Sequence, residues 1–161
     1  MNVLNGANPD NLKLNDLYQE VILDHNKRPR NFGKLEGANA VAHGVNPLCG
    51  DRFDIYILKD TAGIVKKISF QGDGCAISKA SASMMTSAVE GKTEKEAGVL
   101  AGHFIHLLTD NTVADEDRDG VGKLKFFEGV KNFPIRVKCA TLAWRALEEA
   151  LKGSAKEIST E

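Results

Sequence analysis

Long apolar runs are missing from this sequence: no stretch approaches the ~18 consecutive apolar residues of a membrane-spanning helix, and the first residues lack a basic-then-apolar signal pattern. A soluble cytoplasmic protein with no membrane partner is expected. An excess of one charge is missing too. The 21 basic and 22 acidic residues leave a formal net charge of -1, which excludes nucleic-acid binding carried by bulk positive charge. Cysteine is scarce, at 3 residues, so the thiols cannot all pair with one another, and none stands in a Cys-x-x-Cys pair. A chain of 161 residues buries roughly 70% of its unfolded surface without covalent staples, so thiol or metal chemistry in a reducing compartment is expected rather than a disulfide framework. No repeat or linker divides the chain, which implies a single domain over residues 1–161.

The pattern that is present predicts an α+β domain. Residues 1–9 are polar and expected to be a loose lead-in, followed by a cap at Asp10 or Asn11. Leu14, Leu17, Tyr18, Val21 and Ile22 then recur at helical spacing as far as His25. The basic turn from Asn26 to Gly33 is expected to be a solvated loop, with a docking edge for an acidic partner as its sharper reading. Val41, His43 and Val45 alternate as in a strand; Phe53, Ile55 and Ile57 mark a second, and Ile64, Val65, Ile68 and Phe70 a third beyond the turn at Asp60–Gly63. Three antiparallel strands with helices on one side result. A helix through Ile77, Ala80, Met84 and Val89 stops at Gly91, and Thr93 to Glu96 forms a capping box for the next, through Leu100, Phe104 and Leu108. Asp110 to Lys123 is expected to be a mobile acidic loop, and Leu124, Phe126, Phe127 and Val130 a short helical patch. The last helix, Ile135 to Lys152, buries Cys139, Leu142, Ala146 and Leu147; residues 154–161 are expected to fray.

The chemistry gathers around Asn46-Pro47-Leu48-Cys49-Gly50-Asp51. A thiol and a carboxylate two residues apart, between a stiffening proline and a permissive glycine, can aim at one point. A hairpin of the second and third strands brings Cys75 to the same end of the sheet as Cys49, and Cys75 falls at a helix N-terminus, where a thiolate is favoured. Cys49, Asp51, Cys75 and Cys139 therefore make a plausible tetrahedral zinc set. Against it stands the ordinary reading of buried free cysteines as core residues. His25 or His43 could replace Asp51 as the fourth ligand, whereas His103 and His106, three apart, are weaker metal candidates. Asp115 to Gly120 starts like a calcium loop, but its twelfth position is Phe126 where a bidentate glutamate is needed, and Glu128 lies two places late.

The ordered motifs Asn46 to Asp51, Gly74-Cys75-Ala76-Ile77-Ser78, Ser81 to Met85 and Arg136-Val137-Lys138-Cys139-Ala140 to Trp144 resemble the IscU/SufU (NifU N-terminal-like) iron-sulfur cluster assembly family from about Leu17 to Leu151. The resemblance implies an α+β fold with a small antiparallel sheet and metal ligands at Cys49, Asp51, Cys75 and Cys139. The IscU branch has a histidine before its last cysteine and a Leu-Pro-Pro-Val-Lys chaperone motif upstream; this sequence has Lys138 and Phe133 to Val137 there. That departure is similar to the SufU branch. It implies a zinc-dependent sulfurtransferase that accepts persulfide sulfur on Cys49 from a SufS-type cysteine desulfurase, whose histidine takes the place of Cys49 on the zinc. Other Suf cluster-assembly proteins are further implied partners. Arg136 and Lys138 are candidates for partner contact or thiolate stabilisation, or are solvated charges. The competing readings are a scaffold that builds a [2Fe-2S] cluster on the same ligands and a structural zinc domain without chemistry.

Overall fold

The computed structural model describes residues 19–110, 115–153 and 157–160. Helix α1 occupies residues 19–27, so the predicted cap at Asp10 or Asn11, the early apolar positions Leu14 to Tyr18 and the lead-in lie outside the described residues. A sheet follows from β1 (Ala40–Asn46), β2 (Asp51–Lys59) and β3 (Val65–Asp73), each antiparallel to the next. Then come α2 (Ala76–Val89), α3 (Glu94–Thr109), α4 (Asp115–Val121), a 3-10 stretch (Gly122–Asn132), α5 (Pro134–Leu151) and β4 (Glu157–Ser159).

The expected three-stranded sheet has four strands among the described residues, in the order β3-β2-β1-β4, and β4 is parallel to β1. Part of the segment expected to fray supplies that strand. Ile158 packs against the core and Thr160 is buried, so a short sequence that is weak on its own is held by tertiary partners. The inward face of β1 also differs from the apolar alternation in its sequence. Ala40, Ala42, Gly44 and Asn46 are buried while His43 is exposed. Small residues are required there because α5 lies so close: a Cβ on Gly44 would stand 3.0 Å from Leu142 Cδ1.

Helix α2 is buried on almost every side, Ser78, Ser81 and Ser83 included. Ser81 resolves its polarity by donating to the Ala140 carbonyl at 2.6 Å and accepting from the Trp144 indole N–H at 3.1 Å, which binds α2 to α5. The predicted capping box at Thr93 and Glu96 is present and starts α3. The acidic stretch expected as a mobile loop instead forms α4 from Asp115 onward. Arg118 grips Glu128 at 2.9–3.2 Å and Val121 is buried, which anchors that helix on the 3-10 stretch. Val121, Leu124, Phe127 and Val130 are all buried and recur every third residue, the period of a 3-10 helix rather than an α-helix.

Candidate metal centre

The site forms where β1 and β3 end and where β2, α2 and α5 begin. Strand β1 brings Asn46 to the rim with its side chain inward, and Pro47 to Gly50 make the turn into β2, whose first residue, Asp51, pairs with Asn46. The Cys49 amide donates to the Asn46 carbonyl at 3.2 Å, and Gly50 holds φ +72°, a conformation that a side chain would strain. Strand β3 ends at Asp73, one glycine before Cys75, which caps α2. Helix α5 enters with Pro134 at its start and carries Cys139 inward in its second turn.

Ligand atoms of Cys49, Asp51 and Cys139 all lie within 4.8 Å of one another. Cys139 Sγ is 3.4 Å from Cys49 Sγ, a few tenths of an ångström inside the roughly 3.8 Å edge of a tetrahedron with metal–sulfur bonds of about 2.3 Å. Two thiols and a carboxylate at that spacing fit zinc, and equally fit iron. The three groups differ in access: Cys49 is exposed, whereas Asp51 and Cys139 are buried. Burial pushes the Cys139 thiol up; its hydrogen bonds with Cys49 and Asp51, and the negative charge of Cys75 and Asp51, act in the same direction.

Cys75 stands beside this trio and not within it. Its backbone N–H donates to Asp51 Oδ1 at 2.9 Å, but its Sγ accepts from the Ser78 amide at 3.4 Å as the cap of α2. The carboxylate is thereby fixed from the Cys75 side while the thiol serves the helix. Gly74 permits this approach, since a Cβ there would stand 2.6 Å from Asp51 Oδ1 and 2.5 Å from Ser78 Oγ.

Asn46 is a site residue that ligand chemistry does not single out. It is completely buried, and its Nδ2 donates to Asp51 Oδ2 at 3.4 Å and to Cys139 Sγ at 3.6 Å, while its Oδ1 has no partner. A polar residue at the inward end of a strand otherwise lined by alanine and glycine was the available signal. The histidines are elsewhere. His43 pairs with Asp54 on the exposed side of the sheet, and His25 Nδ1 meets Ser83 Oγ at 2.7 Å. His106 pairs with Asp110, and His103 packs beside Gly120 of α4. The calcium-like segment is helical, with Asp115 and Glu128 engaged by Arg118.

A family model for the NifU-like N terminal domain matches residues 17–140, a span that includes all three cysteines and Asp51. The chain belongs to this family. It is 46% identical over 145 residues to the iron-sulfur cluster assembly scaffold protein IscU of Streptococcus pyogenes serotype M1, covering 89% of this chain and 87% of that protein. It is 43% identical over 147 residues to the zinc-dependent sulfurtransferase SufU of Bacillus subtilis (strain 168), covering 91% of this chain and 95% of that one. Among solved structures, the N-terminal part of a nitrogen-fixing NifU-like protein from Brucella abortus superposes with a TM-score of 0.74 at 26% identity, covering 87% of this chain and 95% of that chain. The family fold is thus the α+β arrangement described above. The IscU and SufU relatives, one named for scaffolding and one for sulfur transfer, are similarly close, so overall identity does not separate the two branches. Among the described residues, no helix is long and apolar enough to cross a membrane.

Proposed function

We propose that the chain is a zinc-binding sulfurtransferase of iron-sulfur cluster assembly, which takes persulfide sulfur onto Cys49 from a SufS-type cysteine desulfurase. The observation that carries this reading is the inequality of the two adjacent thiols. Cys49 is exposed on a turn, 3.4 Å from the buried Cys139, so one sulfur can meet a partner while the other stays protected. Lys138 and Phe133 to Val137, in place of the histidine and the chaperone motif of the IscU branch, support the SufU side of the family.

Cys49, Asp51 and Cys139 would hold the metal, and Cys75 would complete the set by turning its Sγ away from the Ser78 amide. Bound zinc supplies positive charge that favours thiolates and adds no redox chemistry of its own. In transfer, the Cys49 thiolate attacks the terminal sulfur of the desulfurase persulfide. A new Cys49 Sγ–S bond forms as the donor S–S bond breaks, and the donor cysteine leaves as a thiolate. Leu48, 63% exposed beside Cys49, and Phe133 and Ile135, 57% and 62% exposed ahead of Cys139, offer apolar surface for the partner on the two arms that carry the thiols. The cytoplasm, where such thiols stay reduced, suits this chemistry.

Metal-quantified protein mixed with a cognate desulfurase and cysteine should carry persulfide on Cys49 by mass spectrometry and accelerate desulfurase turnover, with both effects lost in Cys49→Ala. A second reading, assembly of a [2Fe-2S] cluster as cargo on the same thiols, is favoured by the 46% identity to a protein named as a scaffold. If the zinc form neither stimulates the desulfurase nor accepts sulfur, while iron and sulfide yield a transferable cluster, the scaffold reading replaces the first.

A further inference from the structure

We propose that β4 and the residue after it position the metal site, with Thr160 as the clamp between its two arms. This rests on reading the Cys49, Asp51 and Cys139 cluster as a metal site. Thr160 is 8% exposed and makes two hydrogen bonds in opposite directions across the molecule. Its backbone N–H donates to the Val45 carbonyl at 3.1 Å, and its Oγ1 donates to the Lys138 carbonyl at 3.2 Å.

Both acceptors adjoin site residues. Val45 precedes Asn46, whose amide reaches Asp51 and Cys139 and whose carbonyl anchors the Cys49 turn. Lys138 precedes Cys139. One side of the clamp therefore fixes the end of β1, and the other fixes α5 at the point where the helix passes from the exposed residues 134–136 to buried Cys139. The ladder of His43, Gly44 and Val45 against Glu157, Ile158 and Ser159 sets the register that delivers Thr160 to this position.

The separation of Cys49 and Cys139 depends on how the β1 end and the first turns of α5 stand relative to each other. The Asn46 amide spans them inside the site at 3.4 Å and 3.6 Å, distances that leave it a weak tie by itself. Thr160 adds a second tie, whose hydrogen bonds go to the Val45 and Lys138 carbonyls and not to a ligand atom. It is a positioning residue, and losing its hydroxyl bond should widen the distribution of thiol separations without removing any donor.

The test uses Thr160→Val, which keeps the shape and the backbone bond to Val45, Thr160→Ser, which keeps the hydroxyl, and a chain lacking residues 157–161. Zinc affinity is measured by competition with a chromophoric chelator. In metal-free protein, pulse alkylation with iodoacetamide, resolved by peptide mass spectrometry, gives the rate at each cysteine. Thr160→Val should weaken zinc binding roughly fivefold and speed Cys139 alkylation by a similar factor, with Cys75 unchanged and Thr160→Ser like the wild type. The shortened chain should show larger changes of the same kind. If Thr160→Val or the shortened chain lowers Tm while zinc affinity and the Cys139 rate stay at wild-type values, β4 is only structural and the proposal fails. If the wild type binds no zinc yet the Cys139 rate responds as expected, the clamp stands and the metal reading falls.

Discussion

The Asp51 carboxylate is held from two sides, by the Cys75 amide at 2.9 Å and the Asn46 amide at 3.4 Å, and its position depends on the absence of a side chain at Gly74. Gly74→Ala should displace it, because the added methyl would lie within 3.0 Å of Asp51 Oδ1, Ser78 Oγ and the Phe53 ring. Zinc affinity in a chelator competition is expected to fall at least about tenfold, the size of effect that disturbed support of a metal ligand produces. Thiol access makes a second expectation: in metal-free protein near neutral pH, alkylation should mark exposed Cys49 before Cys139, which burial keeps as a slow, protonated thiol. At this scale the sequence was informative where chemistry is carried by residue type. Cys49, Asp51 and Cys139 declare themselves as donors, and the structure gathers them. The direction of the Cys75 thiol was not legible, because it is decided by the Ser78 amide that the same sulfur caps. The role of Asn46 is not legible from its type, since an amide becomes important only through neighbours from α5 and β2.

Elements are legible in the sequence where the period is plain. Helices α2, α3 and α5 and the antiparallel strands fall close to where apolar spacing and caps predict them. The stretch Gly122–Asn132 shows what a different period means: buried residues at every third position specify a 3-10 helix, which packs Phe127 against Phe104 at a ring separation of 5.6 Å. Phe127→Ala should cost ~3–5 kcal/mol in a denaturant titration, the range for emptying a fully buried aromatic site. The end of α1 carries a titration. His25 is held below its ordinary value by burial first and by the Arg30 charge second, against the opposing pull of Asp24. The unfolded state therefore takes up a proton at higher pH than the folded state. Stability from this group is complete above the ordinary histidine value and is lost as pH falls through it toward the lower folded value. Tm should drop as pH is lowered from about 7.5 to 5.5, and His25→Gln should flatten that slope in a thermal melt.

For the whole molecule, one core runs between the sheet and the helices, and Trp144, stacked on Phe104 at 4.5 Å, lies inside it independently of the ligands. Metal removal is accordingly expected to leave the fold intact: chelator-treated protein should keep its far-UV circular dichroism. Its stability should fall only by the binding contribution, about 2.7 kcal/mol for an ion present at a hundred times its dissociation constant. Complete loss of structure would instead identify a zinc-nucleated domain. The fourth strand is the feature of the whole that sequence did not disclose. Three residues, Glu157–Ser159, carry too little pattern to announce a strand, and their pairing with β1 is set by the arrangement of everything between them.

That parallel strand has a kinetic consequence. Pairing β4 with β1 closes the longest loop of the sheet, which makes it a late, non-local event, paid for in loop entropy before any contact is gained. A chain emerging from the ribosome presents Cys49 and Cys75 long before Cys139 and Thr160 exist to meet them. Two thiols are thus open to stray metal or oxidant during synthesis before Cys139 can join them.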